Sequence, residues 1–326
     1  ASGTGPDSDT LTWESLIPGT TYTVTEETDG DYDQTLSCTG VQDEDDAANS
    51  VTFVAGFDQS ITCEAGNAAQ PSSLTLVKEV TGVADTYAWS FDFLLLPDAT
   101  GGGLQTASGT GSTTSSPLEW TGLVPGETYS VIEQVTNDYD GTLVCEEVDD
   151  LDPAPTVVTF VAGFGQSITC AATNAARASE LTVTKTVEGV PANRDWGFMF
   201  SIAPEADGVP SQLIEGTGPV TSEAITWTTL IPGVTYTIAE TETDGYVQRL
   251  TCDGVEDLDD VAFSVTFVAG FGQTVTCAAV NTLIPTKGEI PVLSETGFDV
   301  RGALLLAMTL MVAGLAVLGV RRRRTD

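Results

Sequence analysis

Residues 74–80 read LTLVKEV and residues 181–187 read LTVTKTV. A strand turns successive side chains to opposite faces, so Leu181, Val183, Lys185 and Val187 share one face. The matching face of the earlier stretch carries Leu74, Leu76, Lys78 and Val80. Each stretch therefore sets an amine in the middle of a face that should be buried. A buried ammonium is costly unless it is paired or neutral. The fold that contains these strands must bring a compensating group to the lysine.

The two stretches open two copies of one unit. Cys38, Cys145 and Cys252 recur every 107 residues, as do Cys63, Cys170 and Cys277, and Trp13, Trp120 and Trp227. Trp89 and Trp196 keep the same period, which accounts for every tryptophan in the chain. The spacing divides the sequence into a partial first repeat at 1–70, a second at 74–177 and a third at 181–282. The first repeat lacks the lysine-bearing opening, and the chain begins at Ala1 without an apolar leader, so an upstream part is expected to be missing.

Within a repeat the local signals are those of strands. Trp196, Phe198 and Phe200 alternate, and LIPGVTYTIAET gives a Pro-Gly turn followed by Tyr236, Ile238 and Glu240 on one face. VTFVAGFGQTVTC reads as two strands around a Gly-containing turn. No helical period precedes the C-terminal tail. Short strands punctuated by Gly and Pro predict an all-β class, tandem Ig-like sandwiches, each about the size that folds alone.

Composition removes several functions. The formal charge is −36, from 47 acidic and 11 basic residues, and four of the arginines lie at Arg321 to Arg324. A repeat region this acidic disfavours nucleic acid, which needs clustered cations. The chain has no histidine, the commonest general base and metal ligand. No cofactor, no metal site and no enzymatic activity toward outside substrates are expected.

Candidate partners for the lysines recur with them. Glu133 and Glu240 follow the Pro-Gly-x-x-Tyr turn and point the same way as Val131 and Ile238. Asn174 and Asn281 end the last strand, in line with Cys170 and Ala172, and with Cys277 and Ala279. The first repeat keeps Glu26 and Asn67 without a lysine. The opening-strand Lys, the Y-x-x-x-E box after a Leu-x-Pro-Gly turn and the terminal Asn together resemble the SpaA-like and collagen-adhesin B-type (CnaB) domains of Gram-positive adhesins and pilins. That resemblance implies a prealbumin-like sandwich. It also implies intramolecular isopeptide bonds, Lys78 to Asn174 and Lys185 to Asn281, each promoted by Glu133 or Glu240. The plainer reading of the same residues is a buried Lys–Glu ion pair hydrogen-bonded to Asn. The cysteines and the acidic segment between them are not general features of the family.

Six cysteines in a chain with an export-type tail suit disulfides. The simplest connectivity joins Cys38 to Cys63, Cys145 to Cys170 and Cys252 to Cys277, each worth roughly 3 kcal/mol in the chain-entropy picture. The alternative is buried free thiols. Between the cysteines lie carboxylate clusters: Asp43, Glu44, Asp45 and Asp46; Asp149, Asp150 and Asp152; Glu256, Asp257, Asp259 and Asp260. They lack the spacing of an EF-hand loop and read as solvated hairpin tips.

A linker and a short motif occupy 283–301, an apolar run 302–320 and a basic end 321–326. Nineteen helical residues span about 28 Å, close to a hydrocarbon core, and the arginines would stay cytoplasmic. The motif Leu293, Ser294, Glu295, Thr296, Gly297 resembles a sortase signal of the LPxTG kind, with Ser in place of Pro. By that resemblance the partners are a sortase and peptidoglycan, with the membrane held by the C-terminal helix. The repeats would then be displayed at the cell surface as a stalk or adhesin, any host ligand being unspecified. A pilin polymerised through Lys287 and a surface enzyme with an upstream head are the alternatives.

Overall fold

The computed structural model describes residues 9–285, apart from 43, 45, 46 and 99–101. Lys287, the LSETG motif, the apolar run 302–320, the basic end 321–326 and the acidic residues Asp43, Asp45 and Asp46 lie outside the described residues. Among the described residues no helix is long and apolar enough to cross a membrane.

Among the described residues all regular elements are strands. The first module holds β1 (Thr21–Thr25), β2 (Tyr32–Thr39), β3 (Ser50–Val54) and β4 (Thr62–Ala69). The second holds β5 (Ser72–Thr81), β6 (Ala88–Leu96), β7 (Leu104–Thr110), β8 (Thr113–Thr114), β9 (Leu118–Leu123), β10 (Thr128–Glu133), β11 (Tyr139–Glu146), β12 (Val157–Val161) and β13 (Ser167–Ala176). The third holds β14 (Ser179–Glu188), β15 (Asp195–Ala206), β16 (Val209–Thr217), β17 (Ile225–Leu230), β18 (Thr235–Glu240), β19 (Tyr246–Asp253), β20 (Ser264–Val268) and β21 (Thr274–Leu283).

The second module is a sandwich of one sheet ordered β12-β10-β6-β7 and another ordered β11-β13-β5, with β8 and β9 paired to the free edge of β5. The third repeats it as β16-β15-β18-β20 against β17-β14-β21-β19. Both sheets feed one core: in the second module Leu74, Leu76 and Ile168 meet Phe93, Val131 and Phe160. The period-two alternation expected for the opening strand holds, with Leu181, Val183, Lys185 and Val187 all buried. First and last strands run parallel and adjacent, Lys78 level with Ala172 and Lys185 level with Ala279.

Two connections differ from a hairpin reading. The strands of VTFVAGFGQTVTC, β20 and β21, belong to opposite sheets, so their turn crosses between layers. The acidic segments likewise join β11 to β12 and β19 to β20, again across the layers, and are not hairpin tips. Packing decides this: Val265 and Phe267 bury on one sheet while Val275, Cys277 and Ala279 bury on the other.

One close approach fixes the inner faces further. Trp89 and Trp196 sit opposite Gly109 and Gly216 across β6–β7 and β15–β16. A Cβ at either glycine would overlap the indole. The indole nitrogens donate to Gly111 O at 2.9 Å and Gly218 O at 2.8 Å.

The first module has only two strand pairs among the described residues, β1–β3 and β2–β4. Trp13 is 63% exposed there, whereas its counterparts Trp120 and Trp227 are 2% and 0% exposed.

Candidate functional site

The glutamates are set by the turn before them. Val124-Pro125-Gly126-Glu127 closes with Glu127 N donating to Val124 O at 3.2 Å, and Gly126 has φ +83°. Pro followed by a left-handed Gly is the signature of a type II turn. Tyr129 then accepts the Val124 amide on its hydroxyl at 3.0 Å, and Tyr236 does the same for Ile231 at 3.0 Å. From that anchored tyrosine the alternation turns Val131 and Glu133, and Ile238 and Glu240, into the core, where all four are buried.

The lysine and asparagine come from the opposite sheet. Asn174 lies on β13 one same-face step beyond Ala172, the residue level with Lys78. The outer edge of each lysine strand is pinned by a serine: Lys78 N donates to Ser115 Oγ at 3.1 Å and Ser115 N returns to Lys78 O at 2.7 Å. Ser222 makes the same two bonds with Lys185, at 3.1 and 2.7 Å.

The three side chains converge in both modules. Lys78 Nζ lies 2.7 Å from Glu133 Oε1, and Lys185 Nζ lies 2.7 Å from Glu240 Oε1, with all four side chains fully buried. Asn174 Nδ2 donates to the same Glu133 oxygen at 2.8 Å, and Asn281 Nδ2 to Glu240 Oε1 at 2.6 Å. The amines stand over phenylalanines, Lys78 4.8 Å from the Phe91 centroid and Lys185 4.5 Å from that of Phe198. Beyond these contacts, neither amine has a hydrogen-bond partner among the described residues, nor do Glu133 Oε2, Glu240 Oε2, Asn174 Oδ1 and Asn281 Oδ1.

This environment favours neutral groups. Burial lowers the Lys78 amine below its ordinary range, an effect that the hydrogen bond and charge of Glu133 only partly oppose. Burial lowers Lys185 from 10.5 to about 8, again against the pull of Glu240. Burial raises the Glu133 carboxyl, with Lys78 and Asn174 opposing. In the second module desolvation disfavours the charged form of both Lys78 and Glu133, so a neutral amine beside a carboxylic acid is an accessible state there. Turning the carboxamide over would let that acid donate to the otherwise unbonded Asn oxygen. An uncharged amine, a proton donor and a carboxamide carbon are the components of amide exchange.

The first module keeps two of the three groups. Asn67 Nδ2 donates to Glu26 Oε1 at 2.6 Å, but the asparagine is exposed and the glutamate only half-buried.

The cysteines pair as Cys38–Cys63, Cys145–Cys170 and Cys252–Cys277, with 4.0 Å between Cα atoms in each. Cys38 lies directly opposite Cys63 and Cys145 opposite Cys170 in the antiparallel ladder. Cys170 and Asn174 share the inward face of β13, so the disulfide holds the asparagine strand against β11. In the acidic segments Asp150 Oδ1 accepts the amides of Asp152 at 3.2 Å and Thr159 at 3.0 Å. Asp257 repeats this with Asp259 at 3.2 Å and Thr266 at 3.1 Å. These carboxylates tie each arch to the following strand.

Ser115, Ser222, the anchoring tyrosine hydroxyls and the phenylalanines beneath the amines extend the site beyond the sequence reading. Their 107-residue spacing was the available signal.

No curated protein matches the chain. Among solved structures it is similar to the major pilin from Streptococcus pyogenes, 17% identical over 65% of this chain and 99% of that one, TM-score 0.33. It is also similar to the Bacillus anthracis TIE protein, 14% identical over 82% of this chain and 50% of that one, TM-score 0.39. A third is a Mobiluncus mulieris adhesin containing intramolecular disulfide, isopeptide and ester bond cross-links, 13% identical over 66% of this chain and all of that one, TM-score 0.28. The prealbumin-like fold domain SpaA_3 matches residues 1–69, 73–176 and 180–283, and the chain belongs to that family.

Proposed function

We propose that this chain is a structural shaft displayed at a bacterial surface, built from modules that brace themselves with internal Lys–Asn amide bonds and disulfides. The observation that carries the reading is the buried convergence of amine, acid and carboxamide, made twice with nearly the same distances.

In the reaction, the neutral amine of Lys78 or Lys185 attacks the side-chain carbonyl carbon of Asn174 or Asn281. The new C–N bond forms as the bond to Nδ2 breaks. Glu133 or Glu240 donates to the carbonyl oxygen, then carries one amine proton to the departing nitrogen, which leaves as ammonia. The sandwich supplies orientation, the largest part of the acceleration for a step within one molecule. The product ties the first strand to the last. Residues 293–297 and the apolar run 302–320 complete the reading as a sortase signal and membrane stop, with Thr296 joined to peptidoglycan.

Intact mass spectrometry tests both parts on material released from the wall by a muramidase and then reduced. The expected chain is lighter by two ammonia molecules, and its last residue is Thr296, still carrying the wall-peptide fragment that the muramidase leaves. Lys185→Ala should restore one of the two. A folded chain of unaltered mass removes the covalent brace, and a terminus at Asp326 removes the sorting step.

A further inference from the structure

The ring beneath the Lys78 amine belongs to a row of aromatics that ends in the next module. Lys78 Nζ stands 4.8 Å from the Phe91 centroid. Phe91 meets Tyr139 edge-on, centroids 5.2 Å apart and rings at 81°. Tyr139 in turn packs at 5.1 Å on Phe271, which lies in the turn between β20 and β21 of the third module. Tyr87, just ahead of β6, also meets Phe271 edge-on, at 5.3 Å. Phe271 is thereby packed against the buried core of the second module.

Two backbone bonds hold the third module in this position. Gly272, left-handed at φ 54°, donates its amide to Arg177 O at 2.8 Å. Ala84 N donates to Pro232 O at 3.0 Å, so the turn that leads to Glu240 rests on the second module as well. The first joint uses the same contact, with Phe164 on Tyr32 at 5.3 Å and Gly165 N donating to Gln70 O at 2.9 Å. The aromatic row is dry. Phe91 is 5% and Tyr139 8% exposed, and burial, with Tyr87 beside it, holds the Tyr139 hydroxyl above its ordinary range. The charged group facing the Lys78 amine is Glu133 on β10. Behind Phe91 the titratable groups are Tyr139 on β11, with Asp138 next to it, and Tyr87.

We propose that Phe271 is a positioning residue for the cross-link of the second module: the third module, by docking, seals the Lys78 site and so sets when the bond to Asn174 forms. The inference rests on the amide-bond reading given above. Phe271 touches none of the reacting groups. It holds Tyr139, which holds Phe91 against the amine and keeps water away from it. Water admitted at Tyr139 favours the ammonium form. One pK unit regained by the amine lowers its neutral, reactive fraction about tenfold. The second module is then locked only in a chain whose third module is already stacked upon it.

The test is cell-free synthesis of the full chain with detergent under oxidising conditions, quenched at intervals and digested. Mass spectrometry follows two branched peptides, one joined through Lys78 and Asn174 and one through Lys185 and Asn281. Phe271→Ala should slow the first about tenfold near neutral pH. It should leave the second unchanged, which also reports that the third module has folded. Raising the pH should close the gap, because the neutral amine returns. Phe271→Leu, which restores apolar bulk without a ring, should recover most of the rate. The proposal is overturned if Phe271→Ala leaves the first bond unaltered, slows both bonds alike, or gives a deficit that neither pH nor Phe271→Leu relieves. A wild-type chain that forms neither bond removes the reading of the site itself, and this coupling with it.

Discussion

The first and third modules carry the same glutamate–asparagine hydrogen bond, 2.6 Å from Asn67 Nδ2 to Glu26 Oε1 in one and 2.6 Å from Asn281 Nδ2 to Glu240 Oε1 in the other. The surroundings differ. Asn281 and Glu240 are 0% and 1% exposed, beneath a parallel opening strand that brings Lys185, while Asn67 is exposed and no described strand runs beside β4 on that side. The geometry of the pair thus belongs to the strands that carry it, β18 and β21 or their counterparts. The proposed reactivity belongs to the opening strand, which supplies the amine and the burial that lowers its proton affinity. The same contrast separates Trp13 from Trp227.

The largest effect should come from making the third module resemble the first. Asn281→Ala leaves Lys185 in place but removes its proposed partner. Losing a cross-link that closes a loop of nearly a hundred residues should cost about 4–5 kcal/mol in the chain-entropy picture. Hydrogen-exchange mass spectrometry would read it as lost protection across β14–β21, with the second module unchanged. The variant also gains a pH dependence. Its amine titrates at about 8 in the folded module against 10.5 ordinarily. Between those values the unfolded chain binds more protons, so stability rises with pH across that window. The penalty is full below about 8 and gone above 10.5. The bridged module has no such amine and should be flat there; a wild-type third module that follows the variant's slope would refute the bridge.

Reduction should separate the modules next. Cys38 and Cys63 are both half-buried, whereas each other pair joins one half-buried cysteine, Cys145 or Cys252, to one that is fully buried, Cys170 or Cys277. A mild phosphine followed by alkylation should label the first pair while the other two stay closed, and opening it should cost that module roughly 3 kcal/mol. Equal labelling of all three pairs would show that burial does not govern access.

Much of this was legible in the sequence because it is periodic. Alternation around Lys185 and the 107-residue spacing place Lys, Glu and Asn on inward faces without any coordinates. The layer-crossing turns were not legible, since a Gly-containing turn between two strands reads alike whether the strands pair or pack. Nor was the packing of Phe164 on Tyr32 and of Phe271 on Tyr139: an aromatic in a turn reads as core or as surface until its neighbour is known. Ser115 and Ser222 show in the sequence only as a 107-residue repeat; their role does not, because their partners are backbone groups on the lysine strand, and sequence shows no backbone.

The smallest effect isolates burial from bonding. Gln34 and Gln248 occupy equivalent positions and make equivalent bonds. Gln34 Oε1 accepts Asp29 N at 3.1 Å and its amide donates to Glu27 O at 2.9 Å. Gln248 Oε1 accepts Thr243 N at 2.7 Å and its amide donates to Thr241 O at 3.1 Å. Gln248 is 8% exposed, and Gln34 is half-buried. If hydrogen bonds alone set the cost, Gln34→Ala and Gln248→Ala should weaken their modules equally. Leaving a polar backbone group dry costs more than leaving it wet, so Gln248→Ala should cost about 1–2 kcal/mol and Gln34→Ala about 0.5 kcal/mol. Denaturant melts with module-resolved exchange would measure both. An equal loss would mean that water already reaches the turn at Thr241–Thr243, and the burial assigned to that end of the third module would have to be withdrawn.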